Sequence, residues 1–194
     1  HIFDEISKIV TKYDGFIEKF VGDAVMALFG AKKAHEDDPI RAIHAAKEIH
    51  NMVNILSPKY EDIIGEPLSM HTGINTGLAV TGDVNLVKGT HGVAGDTLNV
   101  AARLSALGNA GEILVGQDTF FQSEGYYDFK ELEPASIKGK SEPVRIYKVL
   151  AQKEQPLKIH RLRGFMAELI GRPVEMQQLA DAARKLKEGT GSVF

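Results

Sequence analysis

Residues 15–30 read GFIEKFVGDAVMALFG, and this stretch decides the fold. Two apolar runs flank Gly22-Asp23, and a Gly/Asp pair between two such runs is typical of a β-hairpin turn. The stretch therefore predicts two antiparallel strands with the Asp23 carboxylate at their tip. A carboxylate is a hard oxygen ligand of the kind that holds Mg²⁺, although aspartate is also common in turns for backbone reasons alone.

Helical patterns lie on both sides of this hairpin. Before it, apolar residues recur at helical spacing at Ile2, Ile6, Ile9 and Val10. After it, Asp38 can cap a second helix and Pro39 can open it. The stripe by which that helix is expected to face a sheet consists of Ile40, Ile43, Ala46, Ile49, Val53 and Leu56.

The remaining pattern alternates short strands with helices. Strands are expected within 68–84 and near 91–94, a helix over 97–107, a buried strand within 111–116, a short helix over 118–123 and a closing pair of strands within 129–150. Gly108 is expected to end the third helix in the left-handed conformation. The order α-ββ-α-ββ(β)-α-β-α-ββ favours an α+β sandwich, with a mostly antiparallel sheet and helices packed on it.

The composition limits the classes of protein. With 194 residues and 43% hydrophobic content, the chain can form one core and a small appendage. A net charge of −3 with mixed signs argues against nucleic-acid binding. The absence of cysteine excludes disulfides and cysteine nucleophiles and fits a cytoplasmic protein. No stretch approaches the roughly 20 apolar residues of a membrane-spanning helix, and HIFDEISKIV lacks the layout of a signal peptide.

Two polar residues share one flank of the helix predicted over 97–107. Asn99 and Arg103 are spaced i,i+4 and therefore lie on the same side of an otherwise apolar helix. A guanidinium held there can meet a phosphate through two parallel hydrogen bonds. A solvated arginine with an asparagine neighbour fits the same pattern.

Lysines supply the other candidates. Lys19 lies within the first hairpin strand, where a lysine can also keep an edge strand from pairing with other chains. Lys138 and Lys140 stand in a Lys-Gly-Lys loop that can grip phosphates, and a polar hairpin loop predicts the same residues. The histidines lack the spacing of a zinc site, and the sequence contains neither a Ser-His-Asp signature nor a Walker A loop.

Five segments combine these signals. They are KFVGDAVMALFG (19–30), HTGINTG (71–77), GDTLNVAARL (95–104), GEILVG (111–116) and IKGKSEPVRIYKV (137–149). In this order they resemble the class III adenylate/guanylate cyclase catalytic domain. The resemblance implies a ferredoxin-like, palm-type sandwich, in agreement with the α+β order, and an enzyme that converts ATP to 3′,5′-cyclic AMP and pyrophosphate in signal transduction.

The resemblance assigns a role to each candidate. Asp23 matches the second of two metal-binding aspartates, and Lys19 matches the lysine that reads adenine N1. Asn99 matches the asparagine that positions the ribose, and Arg103 the arginine that stabilises charge on the α-phosphoryl group. Lys138 matches a lysine that approaches the terminal phosphates.

Cofactors and assembly follow from the same resemblance. It implies two Mg²⁺ or Mn²⁺ ions and a homodimer, or a pseudo-dimer with a second cyclase domain, in which one chain gives the metal ligands and its partner gives Lys19, Asn99 and Arg103. The first metal aspartate of the family precedes the opening helix. The chain is therefore expected to be an N-terminally truncated domain that cyclises ATP poorly on its own.

One departure from the family opens two alternatives. The base-selecting position, seven residues before Asn99, falls on Gly92, which has no side chain to contact adenine. Adenine preference then rests on Lys19, where guanylate cyclases carry glutamate. The alternatives are a guanylate cyclase and a degenerate cyclase-homology domain that only dimerises or senses nucleotide.

The C-terminal segment has a resemblance of its own. Residues 151–159 form a polar linker. Residues 160–194 contain a Gly-Arg-x-x-Glu helix that resembles the lead-in to an AAA/STAND-type ATPase module. The expected organisation is a cyclase domain at 1–150, this linker, and the start of a downstream ATPase module.

Overall fold

A computed structural model describes residues 2–81, 93–136 and 142–156, together with 177–178, 181–182 and 184–185. The chain divides into two units, His1–Lys158 and Ile159–Phe194. Nearly all of the described residues belong to the first unit.

Helices and strands of the first unit follow the predicted order. The helices in the described ranges are α1 (Ile2–Lys12), α2 (Asp38–Ile64), α3 (Asp96–Leu107) and α4 (Gln117–Ser123), none long and apolar enough to cross a membrane. The strands are β1 (Phe16–Val21), β2 (Ala24–Leu28), β3 (Thr72–Ile74), β4 (Val80–Thr81), β5 (Val93–Ala94), β6 (Ile113–Gly116), β7 (Tyr127–Ala135) and β8 (Val144–Gln152). The last strand includes the first two residues of the predicted linker.

The described strands form three sheets. The largest has the strand order β3-β6-β8-β7. β3 pairs with β6 in parallel, whereas β8 is antiparallel to both β6 and β7. β1 pairs with β2, and β4 with β5, as separate antiparallel ribbons. The strand pairing is therefore mostly antiparallel, as predicted.

Helices cover both faces of the four-stranded sheet. β6 is buried along its whole length. Its residues Ile113 and Val115 pack in one cluster with α2, and Leu114 packs in another with α3. A strand that is covered on both faces requires a continuous apolar run, which explains the segment GEILVG. In β8 the faces alternate in the same way, with Ile146 toward α3 and Tyr147 toward α2.

The hairpin β1–β2 packs on a separate core formed by α1 and α2. Its buried members are Ile6, Ile9, Val10, Ala45, Ile49 and Val53. Ile17, Val25 and Ala27 of the hairpin cover this cluster. α2 thus contributes to both cores, because one part of its apolar stripe faces the large sheet and another faces α1 and the hairpin.

Single residues set the boundaries of α2 and α3. Pro39 lies in the first turn of α2 as predicted, but the N-cap residue is Asp37 rather than Asp38. Gly65 ends α2 in the left-handed conformation at φ 86°. Gly108 does not do the same for α3. Its backbone is extended (φ −75°, ψ 139°), and its amide donates to the carbonyl oxygen of Ser105, so the left-handed cap predicted there is wrong.

α3 approaches the sheet closely at Gly73. A Cβ atom built on Gly73 would overlap the carbonyl oxygen of Ala101 and the amide nitrogen of Ser105, which are backbone atoms of α3. Only glycine leaves enough space for this approach. Gly73, the first glycine of HTGINTG, therefore sets the position of the helix that carries Asn99 and Arg103.

Replacing Gly73 by alanine is expected to destabilise the domain by about 1–3 kcal/mol, because the added methyl group must displace the backbone of α3. Gly108→Ala is a milder comparison at the end of the same helix, since its Cβ would lie 3.3 Å from the nearest backbone atom and its extended backbone suits any residue. We expect it to cost less stability than Gly73→Ala. Urea unfolding followed by circular dichroism measures both, and equal losses would contradict the role of Gly73.

Candidate active site

The tip of the hairpin β1–β2 presents Lys19 and Asp23 to solvent. Gly22 forms the turn at φ 63°, in the left-handed region that favours glycine. Lys19 near the end of β1 and Asp23 just before β2 are both exposed. The Asp23 carboxylate therefore lies at the tip of a defined turn.

A β-bulge precedes Lys19. Ile17 pairs with Ala27 but Lys19 pairs with Met26, so Glu18 is an extra residue on β1. Such a bulge changes the direction of the side chain that follows it, which here is Lys19. The Glu18 side chain is only 9% exposed, and its Oε1 atom has no hydrogen-bond partner among the described residues. Nothing in the sequence FIEKFV distinguishes a bulged strand from a regular one, so the sequence did not indicate this bulge.

Asn99 and Arg103 lie one turn apart on the exposed flank of α3. The opposite flank is anchored, since Val100 and Leu104 are 3% and 0% exposed and pack against β6 and β8. The start of the helix is fixed by the hydroxyl of Thr97, which donates to a loop carbonyl oxygen at 2.7 Å. A polar pair on such a fixed helix meets a ligand at a defined position.

These four side chains have no partners among the described residues. Within the part of the chain that the structure describes, neither Lys19 nor Asp23 forms an ion pair, and neither Asn99 nor Arg103 forms a hydrogen bond. By contrast, Arg41 binds two carboxylates at 2.7 Å each. Unpaired polar groups on rigid elements are available to a charged ligand.

The structure groups the candidates as two pairs on separate elements. Lys19 and Asp23 share the hairpin, which contacts α1, whereas Asn99 and Arg103 share α3, which contacts β3 and β6. No hydrogen bond or ion pair between described residues links one pair to the other. The other predicted site residues lie outside the described ranges: Gly92 and Lys138.

The Asp23 carboxylate suits a divalent cation as a single ligand. Mg²⁺ and Mn²⁺ take oxygen ligands, and Asp23 is exposed and forms no ion pair within the described part. No group of three or more His, Cys, Asp or Glu side chains among the described residues is placed to hold a metal ion. A metal centre at Asp23 therefore needs additional ligands.

Two histidines of α2 have structural roles. The Tyr127 hydroxyl lies 2.6 Å from Nδ1 of His44, and burial lowers the pKa of His44 and raises the pKa of Tyr127. His50 Nε2 lies 2.8 Å from the Thr72 hydroxyl oxygen, and burial lowers the pKa of His50 as well. Burial therefore favours the neutral form of both rings, and each ring lies within hydrogen-bond distance of a hydroxyl group.

Sequence comparisons match this chain to one protein family. A model of the adenylate and guanylate cyclase catalytic domain matches residues 1–151. The terminal-differentiation specific adenylate cyclase of Dictyostelium discoideum is 30% identical over 163 residues, covering 79% of this chain and 7% of that protein. Adenylate cyclase 1 of Rhizobium meliloti (strain 1021) is 29% identical over 151 residues, covering 76% of this chain and 23% of that protein. The chain spans less than a quarter of either relative.

Comparisons of structure agree. The adenylyl cyclase CyaB from P. aeruginosa matches with a TM-score of 0.73 at 29% identity, covering 80% of this chain and 81% of that one. The guanylyl cyclase Cya2 matches with a TM-score of 0.70 at 27% identity, covering 79% of this chain and 78% of that one. The predicted palm-type α+β fold is confirmed.

Proposed function

Because this chain belongs to the adenylate and guanylate cyclase catalytic domain family, we propose that it converts ATP to 3′,5′-cyclic AMP and pyrophosphate at a dimer interface. The observation that carries this proposal is the exposed pair Asn99 and Arg103, anchored on α3 and without partners among the described residues. The two adenylate cyclases that resemble the chain support ATP as the substrate.

The reaction needs positioning and charge stabilisation rather than a protein nucleophile. The 3′-hydroxyl oxygen attacks the α-phosphorus in line with the leaving pyrophosphate. The O3′–P bond forms, the bond from the α-phosphorus to the bridging oxygen breaks, and the hydroxyl proton is released. Asn99 holds the ribose in the attacking orientation. Arg103 donates hydrogen bonds to the α-phosphoryl oxygens as charge develops on them.

Asp23 is proposed to hold the Mg²⁺ or Mn²⁺ ions together with a second aspartate outside this chain. When bound, two such ions lower the pKa of the 3′-hydroxyl and neutralise the triphosphate. In the described part β1 pairs only with β2, and β3 only with β6, so each leaves an edge on which a further strand can bring that aspartate. The 194 residues alone should then cyclise ATP poorly. Equal cyclic AMP production by this chain and by the intact protein would contradict this arrangement.

The placement of Asp23 on a different element from Asn99 and Arg103 supports a dimer in which two chains complete one site. In the proposed assembly one chain contributes Asp23 to a site, and the partner contributes Lys19, Asn99 and Arg103. The partner is either a second copy or a second cyclase domain of the same polypeptide. Lys19 and Asp23, although neighbours on one hairpin, then serve opposite sites of the dimer, and a monomer is inactive.

Lys19 provides the preference for adenine in this proposal. An ammonium group can donate to adenine N1, whereas Gly92 offers no side chain to the base. Lys138 adds positive charge near the terminal phosphates, which favours any nucleoside triphosphate and not one base. The choice between ATP and GTP therefore depends mainly on Lys19.

Lys19→Glu is expected to lower the ratio of kcat/KM for ATP to kcat/KM for GTP by about 10- to 100-fold. This fold-change corresponds to the free energy of one hydrogen bond to a charged group. Lys33→Glu, which makes the same charge change at another exposed lysine, should leave the ratio unchanged. Cyclic AMP and cyclic GMP are measured from the intact protein. A wild-type preference for GTP would contradict the assignment of Lys19 and favour a guanylate cyclase.

We further propose that residues 160–194 lead into an ATPase module and that the protein works in the cytoplasm. The Gly-Arg-x-x-Glu sequence at 171–175 supports the first point, and the proposed use of ATP as the substrate supports the second. An ATP-hydrolysis assay on the intact protein tests the module, and its failure to release inorganic phosphate would contradict it. Cell fractionation tests the location, and recovery outside the cytoplasm would contradict it.

A further inference from the structure

The first turn of α2 holds both ends of the hairpin that carries Lys19 and Asp23. The chain enters β1 through the Asp14-Gly15 turn, and it leaves β2 through the segment 29–37. Charged side chains from these two connections meet at the start of α2. These residues form the hairpin clamp: Asp14, His35, Asp37, Asp38 and Arg41.

Arg41 is the central residue of the hairpin clamp. Its Nη1 atom donates to Asp14 Oδ2 at 2.7 Å, and its Nε atom donates to Asp37 Oδ1 at 2.7 Å. The Arg41 side chain is 27% exposed, and the Asp14 and Asp37 side chains are 55% and 49% exposed, so the hydrogen bond to Asp14 faces solvent and the one to Asp37 is partly buried. The hydrogen bond from Arg41 lowers the pKa of Asp37. One guanidinium thus ties the entry of the hairpin to the start of α2.

The exit of the hairpin is tied to the same turn. The backbone amide of His35 donates to Asp38 Oδ2 at 2.8 Å, and His35 Nδ1 lies 3.2 Å from Asp38 Oδ1. His35 Nε2 also lies 3.7 Å from Asp14 Oδ2, which links exit to entry. Gly30, at φ 78°, lets the chain pass directly over the Asp38 carboxylate, because a Cβ there would overlap it.

The hairpin depends on such external anchors. In the described part the hairpin is held by the packing of Ile17, Val25 and Ala27 on α1 and α2 and, at its base, by the polar contacts of the hairpin clamp. Its tip lies about six residues from its base, or about 20 Å, so a rotation of about 3° at the base moves the tip by about 1 Å. A displacement of that size can cost on the order of 10²-fold in rate.

We propose that Arg41 is a positioning residue of the active site, which fixes the base of the hairpin so that Lys19 and Asp23 reach their places at the tip. Arg41 itself does not contact the nucleotide. The proposal rests on the cyclase function proposed above for its effect on rate, whereas its structural part concerns the hairpin alone.

The test replaces Arg41 by glutamine in the intact protein and measures amide hydrogen exchange and cyclase kinetics. We expect exchange in β1–β2 to become at least about tenfold faster while exchange in α3 stays unchanged. We expect kcat to fall about tenfold or more, with a smaller change in KM. Asp14→Asn is a milder second variant, because asparagine tolerates the φ of 60° at this position but removes the charge that binds Arg41.

Lys148→Met is the matched control, since it breaks an ion pair of similar exposure, with Glu112 at 2.7 Å, that joins β8 to the start of β6 and is not part of the hairpin connections. It should leave both hairpin exchange and kcat unchanged. Unchanged exchange in β1–β2 of Arg41→Gln and Asp14→Asn would overturn the proposal, as would equal acceleration in α3. A wild-type protein with no cyclase activity would instead contradict the proposed function, while the exchange data still decide whether Arg41 fixes the hairpin.

Discussion

Arg103→Ala is expected to lower kcat for cyclic AMP formation by about 10²- to 10³-fold with a much smaller change in KM. A fixed donor aimed at charge that develops only in the transition state contributes roughly 2.7–4 kcal/mol. Such a contribution is lost from kcat rather than from substrate binding. Arg103 is exposed and unpaired within the described residues, so its removal should not disturb packing. Steady-state kinetics of the intact protein over a range of Mg-ATP concentrations measure kcat and KM.

Two further variants make this result specific. Arg103→Lys keeps the charge but loses the planar two-pronged donor, so its kcat should lie between those of wild type and Arg103→Ala. Lys130→Ala removes an exposed cation of β7 and should leave kcat unchanged. The stability of Arg103→Ala should stay within about 0.5 kcal/mol of wild type. A rise in KM at constant kcat would instead assign Arg103 to ground-state binding.

Local sequence patterns predicted most of the fold correctly, because helices and hairpins are encoded by residues that are near in the chain. The apolar spacing from Ile2 to Val10 and the Gly22-Asp23 turn each specify one element without reference to the rest. The strand order β3-β6-β8-β7 joins elements that are distant in sequence, as in the parallel pairing of Thr72 with Ile113. Periodicity carries no information about such pairing. Apart from the first hairpin and the closing pair of strands, the sequence therefore predicted strands but not the strands beside them.

The candidate site shows the same division between local and non-local information. The i,i+4 spacing of Asn99 and Arg103 predicted a shared flank, and the structure shows it. The structure also shows that the close contact of α3 with Gly73 fixes the position of that flank. No pattern within the helix indicates this contact. The ion pair of Arg41 with Asp14 spans 27 positions and was missed for that reason. Its i,i+4 partner Asp37 was the one available signal.

Co-expression of Asp23→Ala and Asn99→Ala chains is expected to restore cyclase activity that neither variant shows alone. Each homodimer lacks an essential group in both of its sites, and we expect each to lose at least about 10²-fold in kcat. In the mixed dimer, one site combines the intact Asp23 of one chain with the intact Asn99 of the other. Random pairing makes roughly half of the dimers mixed, each with one good site of two, so about one quarter of the wild-type activity should return.

A second pair of mixtures tests how the groups are divided between the chains. The mixture of Asn99→Ala and Arg103→Ala chains should not recover activity. Both groups of a site come from the same helix of one chain, so every site lacks either Asn99 or Arg103. Lys19→Ala with Asp23→Ala should recover, although these residues lie four positions apart on one hairpin, because they serve opposite sites. Cyclic AMP production per chain measures all three mixtures, and mixed dimers isolated by two different affinity tags should reach about half of the wild-type activity, because each has one intact site of two. Recovery by the first of these pairs, or none by the second, would show that the groups are not divided in this way, since only complementary halves can assemble an intact site.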